Sequence, residues 1–161
     1  MMMTAELALI LSLATPAAGA LGIAVTGARP NLREAVTLLT AGALFAVVLW
    51  LLQHHLEGGV ATLEVVNLLP NLPIAFTVEP LGLVFALVAS GLWIVTSVYS
   101  IGYMRGNDEA NQTRFYVCFA IALASAIGIA FAGNMLTLFL FYEILTISTY
   151  PLVVHLSLIH I

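Results

Sequence analysis

Five apolar stretches, each close to the length that crosses a bilayer, constrain this chain more than any other feature. A hydrocarbon core takes roughly 20 residues of helix. The stretches run over residues 5–26, 35–52, 81–104, 115–132 and 135–154. The sequence is 62% hydrophobic and 7% charged, where a soluble domain carries about 25% charged residues. Such a chain cannot cover its own surface with solvated groups, so lipid is its solvent. The fold class expected is an all-α integral membrane protein, one membrane domain over 1–161 with about five transmembrane helices. The first stretch lacks the basic start of a cleaved signal and is too long for one, so it counts as a span. The net charge of −4 points to no nucleic-acid partner. The single cysteine, Cys118, excludes an internal disulfide and any cysteine-rich metal site.

The basic residues predict an orientation. All are arginines: Arg29 and Arg33 fall between spans one and two, and Arg105 and Arg114 between spans three and four. The positive-inside rule places both connections in the cytoplasm and the N-terminus outside. The longest connection, from Gln53 to Glu79, then faces outside. It holds two β-prone runs, Val60 to Val66 and Ile74 to Val78, around a turn-rich Asn67 to Pro73 containing Pro70 and Asn71. A short extracytoplasmic hairpin is the expected structure. Small residues at four-residue intervals, Ala120, Ala124, Gly128 and Ala132, mark a helix-packing seam. Ala14, Ala18 and Gly22 mark another, with Pro16 as a kink.

Glu143 is the informative polar residue, because it lies near the middle of span five. A charge at that depth costs about 2.5–3.5 kcal/mol on insertion scales and is rarely kept without a function. Burial disfavours its ionised form and a nearby cation favours it, so a carboxyl between those pulls can carry protons. The alternative is a carboxyl held in a structural helix–helix hydrogen bond. Thr146 and Tyr150 follow on the same helix face, with Ser148 and Thr149 beside them and His155 at the end of the span. Pro151 cannot donate to the Ile147 carbonyl, which stays available to water. These residues form a candidate polar path, unless the hydroxyls bond their own backbone. His155 reads by default as a solvated terminal residue. Glu79, before Pro80, suits a helix start, His54 and His55 lack further metal ligands, and Asp108 and Glu109 suit a solvated loop. No phosphate-binding glycine loop, nucleophile–base arrangement or dinucleotide fingerprint is present, so no cofactor or metal is expected.

Three segments carry a family resemblance: Phe76 to Leu81, Tyr99 to Met104 with Arg114 to Tyr116, and Asn134 to Glu143 continuing through Ser148 to Leu152. They resemble the proton-conducting antiporter-like membrane subunits, which include Mrp-type cation/proton antiporter subunits and the antiporter-like subunits of respiratory complex I. The resemblance implies a longer bundle containing inverted repeats, in which a glutamate of the fifth helix pairs with a lysine of a later helix. Only Glu143 carries over, since this chain has no lysine. Tyr142-Glu143 through Tyr150-Pro151 leans towards the D-type antiporter subunit, with a complex I subunit as the alternative and a non-transporting scaffold or assembly subunit as another. The implied partners are other subunits of such an assembly, protons and a monovalent cation. The implied setting is the bacterial plasma (inner) membrane. A transporter subunit is expected rather than an enzyme, unless the chain works inside a redox-driven NADH:quinone oxidoreductase. Glu79 stands where the family usually has aspartate. Leu156 to Ile161 matches nothing in the family, and the chain reads as a truncated N-terminal part whose tail need not be native.

Overall fold

A computed structural model describes residues 4–69, 72–107 and 109–157, with Leu69 and residues 155–157 described by backbone alone. The element order is α1 (Ala5–Val25), α2 (Pro30–Leu56), β1 (Thr62–Leu69), β2 (Leu72–Thr77), α3 (Pro80–Gly106), α4 (Gln112–Ala130) and α5 (Met135–Ser157). All five helices are long and apolar enough to cross a membrane, as the sequence predicts. Their ends carry recognisable signals. The Thr4 hydroxyl accepts a hydrogen bond from the Leu7 N–H at 3.2 Å and caps α1. Pro30 and Pro80 open α2 and α3, where a missing N–H costs nothing. Asn111 takes a left-handed conformation (φ 56°) to turn the chain into α4, a region asparagine tolerates better than most residues.

The helices alternate in direction, so the molecule has two ends. One carries the α1–α2 and α3–α4 turns and is called here the arginine end. The other carries the β-hairpin. α1 packs against α2 and α4, α2 also packs against α3, α3 touches α4 more lightly, and α5 lies on α4. On α3 the buried residues Leu83, Ala86, Ser90, Trp93, Ser97, Ser100 and Met104 recur at alternating steps of three and four. That is the seam of two helices packing side by side. The serines do not break it. Ser90 donates to the Ala86 carbonyl at 2.7 Å and Ser100 to the Ser97 carbonyl at 3.1 Å, so neither hydroxyl is left unpaired in an apolar setting. The opposite face of α3 exposes Leu81, Val84, Val88, Leu92 and Val95, the apolar surface that lipid requires.

The expected small-residue seams are realised unevenly. On α4, Ala120 and Gly128 are buried, and a Cβ added at Gly128 would overlap the Phe141 ring of α5. On α1, Ala14 and Ala18 stay exposed. The close approach to α2 comes from Gly22, where a Cβ would lie 3.1 Å from the Val36 side chain, and from Gly19, where a Cβ would run into the Thr40 side chain.

The hairpin forms as expected, with shifted bounds. β1 and β2 pair antiparallel with Thr62 opposite Thr77 and Leu63 opposite Phe76, and register irregularities fall between Glu64 and Val66 and between Asn67 and Leu69. The expected turn residues Pro70 and Asn71 lie outside the described residues. The second edge of β2 is covered by the α4–α5 connection. The Thr77 N–H donates to the Phe131 carbonyl at 2.8 Å, and the Gly133 N–H donates to the Ala75 carbonyl at 2.8 Å. Asn134 adds a side-chain clamp: its amide donates to the Pro73 carbonyl at 2.6 Å while its carbonyl oxygen accepts from the Thr137 N–H at 2.9 Å. The buried Thr137 hydroxyl in turn accepts from the Ala75 N–H at 3.0 Å. The hairpin thereby ties α3, α4 and α5 together at one end.

Gly128→Val is expected to destabilise the α4–α5 packing by about 1–3 kcal/mol, the usual cost of overpacking. A lowered melting temperature of the detergent-solubilised protein would register it. Gly42→Ala, where nothing lies within 4 Å of the added methyl group, is the matched control and should not lower it.

Candidate functional site

Glu143 lies eight residues into α5, which at 1.5 Å per residue is about 12 Å from the hairpin end of the helix. That depth approaches the middle of a core about 30 Å thick. The side chain is exposed on the face of α5 turned away from α4. Tyr142, Thr146, Ile147 and Tyr150 share that exposed side, and α5 is the least buried of the five spans. Ser148 faces inward and is buried. Among the described residues Glu143 makes no ion pair, and all four arginines lie in or beside the turns at the arginine end.

The candidate polar path divides accordingly. Glu143, Thr146 and Tyr150 fall on one open side, Thr149 is half-buried, and Ser148 points into the protein. Each hydroxyl of the Ser/Thr set donates to its own helix: Thr146 to the Tyr142 carbonyl at 3.0 Å, Ser148 to the Leu145 carbonyl at 3.0 Å and Thr149 to the Leu145 carbonyl at 2.9 Å. The donors are therefore used internally, while the hydroxyl oxygens keep lone pairs that can accept. Pro151 lies within α5. The side chain of His155 lies outside the described residues, as do residues 158–161 of the tail.

A second polar cluster was not anticipated from the sequence. Span two was expected to begin at residue 35, but α2 begins at Pro30 and takes Arg33 and Glu34 into the helix, where both are buried. Arg105 and Arg114 likewise lie in α3 and α4 rather than in a loop. Arg105 of α3 holds Glu34 through two nitrogens, its Nε donating to Oε1 at 2.9 Å and its Nη2 to Oε2 at 2.5 Å. Paired contacts of this kind are the strong form of the arginine–carboxylate interaction. Arg33 places its Nη2 3.7 Å from Oε1 of the same carboxylate. It donates to Gln112 at 2.7 Å and to Thr113 at 3.2 Å, and its guanidinium stands 5.2 Å from the centre of the Tyr116 ring. The Arg33–Glu34–Arg105 cluster thus joins α2 to α3 through the carboxylate and α2 to α4 through Arg33. The signal was present in Pro30, which marks a helix start early enough to include the charged pair.

Removing that carboxylate with Glu34→Ala leaves Arg33 buried without its counter-charge. Loss of one partner of a buried pair costs about 3–5 kcal/mol, and the half-exposed Arg105 keeps this case towards the lower figure. A drop in thermal stability in detergent, larger than for an exposed control such as Glu57→Ala, would be the readout.

Comparisons with known proteins bear on part of this chain. The family profile described as NADH-Ubiquinone oxidoreductase (complex I), chain 5 N-terminus, matches residues 67–116, from β1 to the start of α4. The Na(+)/H(+) antiporter subunit A1 of Staphylococcus aureus strain bovine RF122 / ET3-1 is 26% identical over 112 residues. The same subunit from strain Newman is also 26% identical over 112 residues. Each match covers 68% of this chain and 14% of the relative, so the shared part is a small fraction of those proteins. The relatives are A1 subunits, and they do not carry the leaning towards the D-type that Tyr142 to Pro151 introduces. The five helices long and apolar enough to cross a membrane, the hairpin before α3 and the two matches make this chain similar to antiporter-like membrane subunits, of the cation/proton antiporter and complex I kinds alike.

Proposed function

We propose that this chain forms the first five helices of a proton-translocating subunit in a monovalent cation (Na+ or K+)/proton antiporter, with Glu143 as the membrane-embedded proton carrier. The observation that carries the reading is the depth and facing of Glu143: near mid-span, on the open face of α5, with no cation from the described residues paired to it. An ionised carboxylate cannot remain in hydrocarbon uncompensated, so it is either protonated or paired with a cation brought by whatever covers α5. Exchange between those two states takes up and releases one proton. Thr146 and Tyr150 on the same side, with the Ile147 carbonyl that Pro151 cannot reach, offer acceptors for a short water chain towards the arginine end, and His155 would extend it. The remaining helices of that subunit and the other subunits of the assembly supply the cover.

A complex I-type assembly is the second reading, favoured by the family profile over residues 67–116. The proton step at Glu143 would be the same, and the driving force would come from redox subunits. In a scaffold subunit, by contrast, Glu143 would serve only as a hydrogen-bonding group.

Everted vesicles from cells expressing the gene at its own locus, with its neighbours, separate these readings. Once the interior is acidified, added Na+ or K+ should collapse the pH gradient with wild type. Glu143→Gln should slow the collapse by about 100-fold, the lower end of what a positioned proton donor contributes. Wild-type rates from a normally assembled Glu143→Gln subunit would remove Glu143 from the mechanism. A gradient untouched by either cation in wild type, with both proteins assembled, would favour the redox-driven or scaffold reading.

The proposed orientation in the bacterial plasma membrane, with the N-terminus outside and the arginine end in the cytoplasm, follows from Arg29, Arg33, Arg105 and Arg114. Asn111 is exposed in the α3–α4 turn. With Cys118 replaced by serine, Asn111→Cys should react with a membrane-impermeant maleimide only after the cells are opened. Labelling in intact cells would invert the topology.

A further inference from the structure

Two cavities meet at the hairpin. The first is an almost wholly apolar groove of 780 Å³ between α1, α4 and α5, lined among others by Ile10, Leu21, Ile121 and Ile144. Its one serine, Ser125, donates to the Ile121 carbonyl at 2.9 Å and asks for no other partner. The second is a polar recess of 620 Å³ around Glu6, Glu64, Thr77 and Asn134. Leu63 and Phe76 line both, so the two spaces adjoin through the hairpin. The order along α1 is that of an amphiphile: Glu6 lines the polar recess, and the residues from Ile10 to Leu21 line the apolar groove.

We propose that this composite site binds a phospholipid with a primary ammonium headgroup, one acyl chain lying in the groove and the ammonium in the recess. The dimensions fit. Leu21 lies eleven helical steps beyond Ile10, about 16 Å at 1.5 Å per residue, and one leaflet is half of a hydrocarbon core about 30 Å thick. The charge fits as well. The carboxylates of Glu6 and Glu64 make no hydrogen bond or ion pair among the described residues, and no basic residue lines the recess. The arginines are all at the opposite end of the bundle. An anionic headgroup would meet two carboxylates, whereas an ammonium supplies three N–H donors to them. A quaternary amine has the charge without the donors.

The test places the protein in bilayer nanodiscs containing a trace of phosphatidylethanolamine with a photoactivatable acyl chain, and maps the cross-links by mass spectrometry. Cross-links are expected on α1 between Ile10 and Leu21 and on α5 between Phe141 and Ile144. Unlabelled phosphatidylethanolamine should compete several-fold better than phosphatidylcholine or phosphatidylglycerol. Glu6→Gln with Glu64→Gln should erase that preference and leave the cross-links in place. Ala17→Phe, which fills the groove, should remove the cross-links with helix content by circular dichroism unchanged. Cross-links spread evenly over the outer face of α3, or equal competition by the anionic lipid, would overturn the proposal. So would the absence of α1 cross-links in the intact assembly, since protein would then occupy the groove.

Discussion

Hydrocarbon offers a backbone N–H or C=O nothing to bond, and this single constraint orders the molecule. Five helices satisfy it within themselves. The extended segment between α2 and α3, beyond the spans, pairs on both sides of β2, with β1 on one edge and the Phe131–Gly133 connection on the other. Asn134 and Thr137 then take up Pro73 and Ala75 groups that the ladder leaves over. Because those bonds come from the start of α5 and the end of α4, the hairpin also determines where the glutamate helix begins. The depth of Glu143 is counted from that start.

The two ends of the bundle are built from different interactions. At the hairpin end, backbone hydrogen bonds and the edge-to-face pair Phe76–Phe141 hold the elements together. At the arginine end, a carboxylate shared by two guanidinium groups does so. A buried charge is expensive unless its lone pairs and protons are used, and Gln112, Thr113 and Asn31 accept from the arginines around Glu34. The arginines that report membrane orientation by their number thus also join helices, which a charge count alone would not reveal. α5 takes part in neither the arginine cluster nor the four-helix packing beyond its contact with α4, and this leaves its polar side open.

Much of this was legible in the sequence. The spans follow from long apolar runs, the hairpin from two β-prone runs around Pro70 and Asn71, and Glu143 from a lone acid in the fifth run. The errors share a cause. Hydropathy marks where a helix is apolar, not where its hydrogen bonds begin, so α2 was begun five residues late and the Arg33–Glu34 pair was left outside it. The α1 seam at Ala14 and Ala18 failed because small residues permit close approach without choosing the partner. Gly19 meets α2, while Ala14 lines the open groove. The hydroxyls after Glu143 could be read as a path or as backbone-bonded groups, and they donate to their own helix.

By itself the sequence determined the solvent, the number of spans and the presence of an acid at mid-membrane. These follow from local runs of about 20 residues, which the bilayer reads one helix at a time. Only the tertiary structure decided which face of each helix is covered. It brought Arg105 from a distant part of the chain onto the carboxylate of Glu34, turned Ser148 inward and Glu143 outward, and joined a polar recess to an apolar groove at the hairpin. Those outcomes depend on contacts between residues far apart in the chain, and periodicity along one helix carries no record of them.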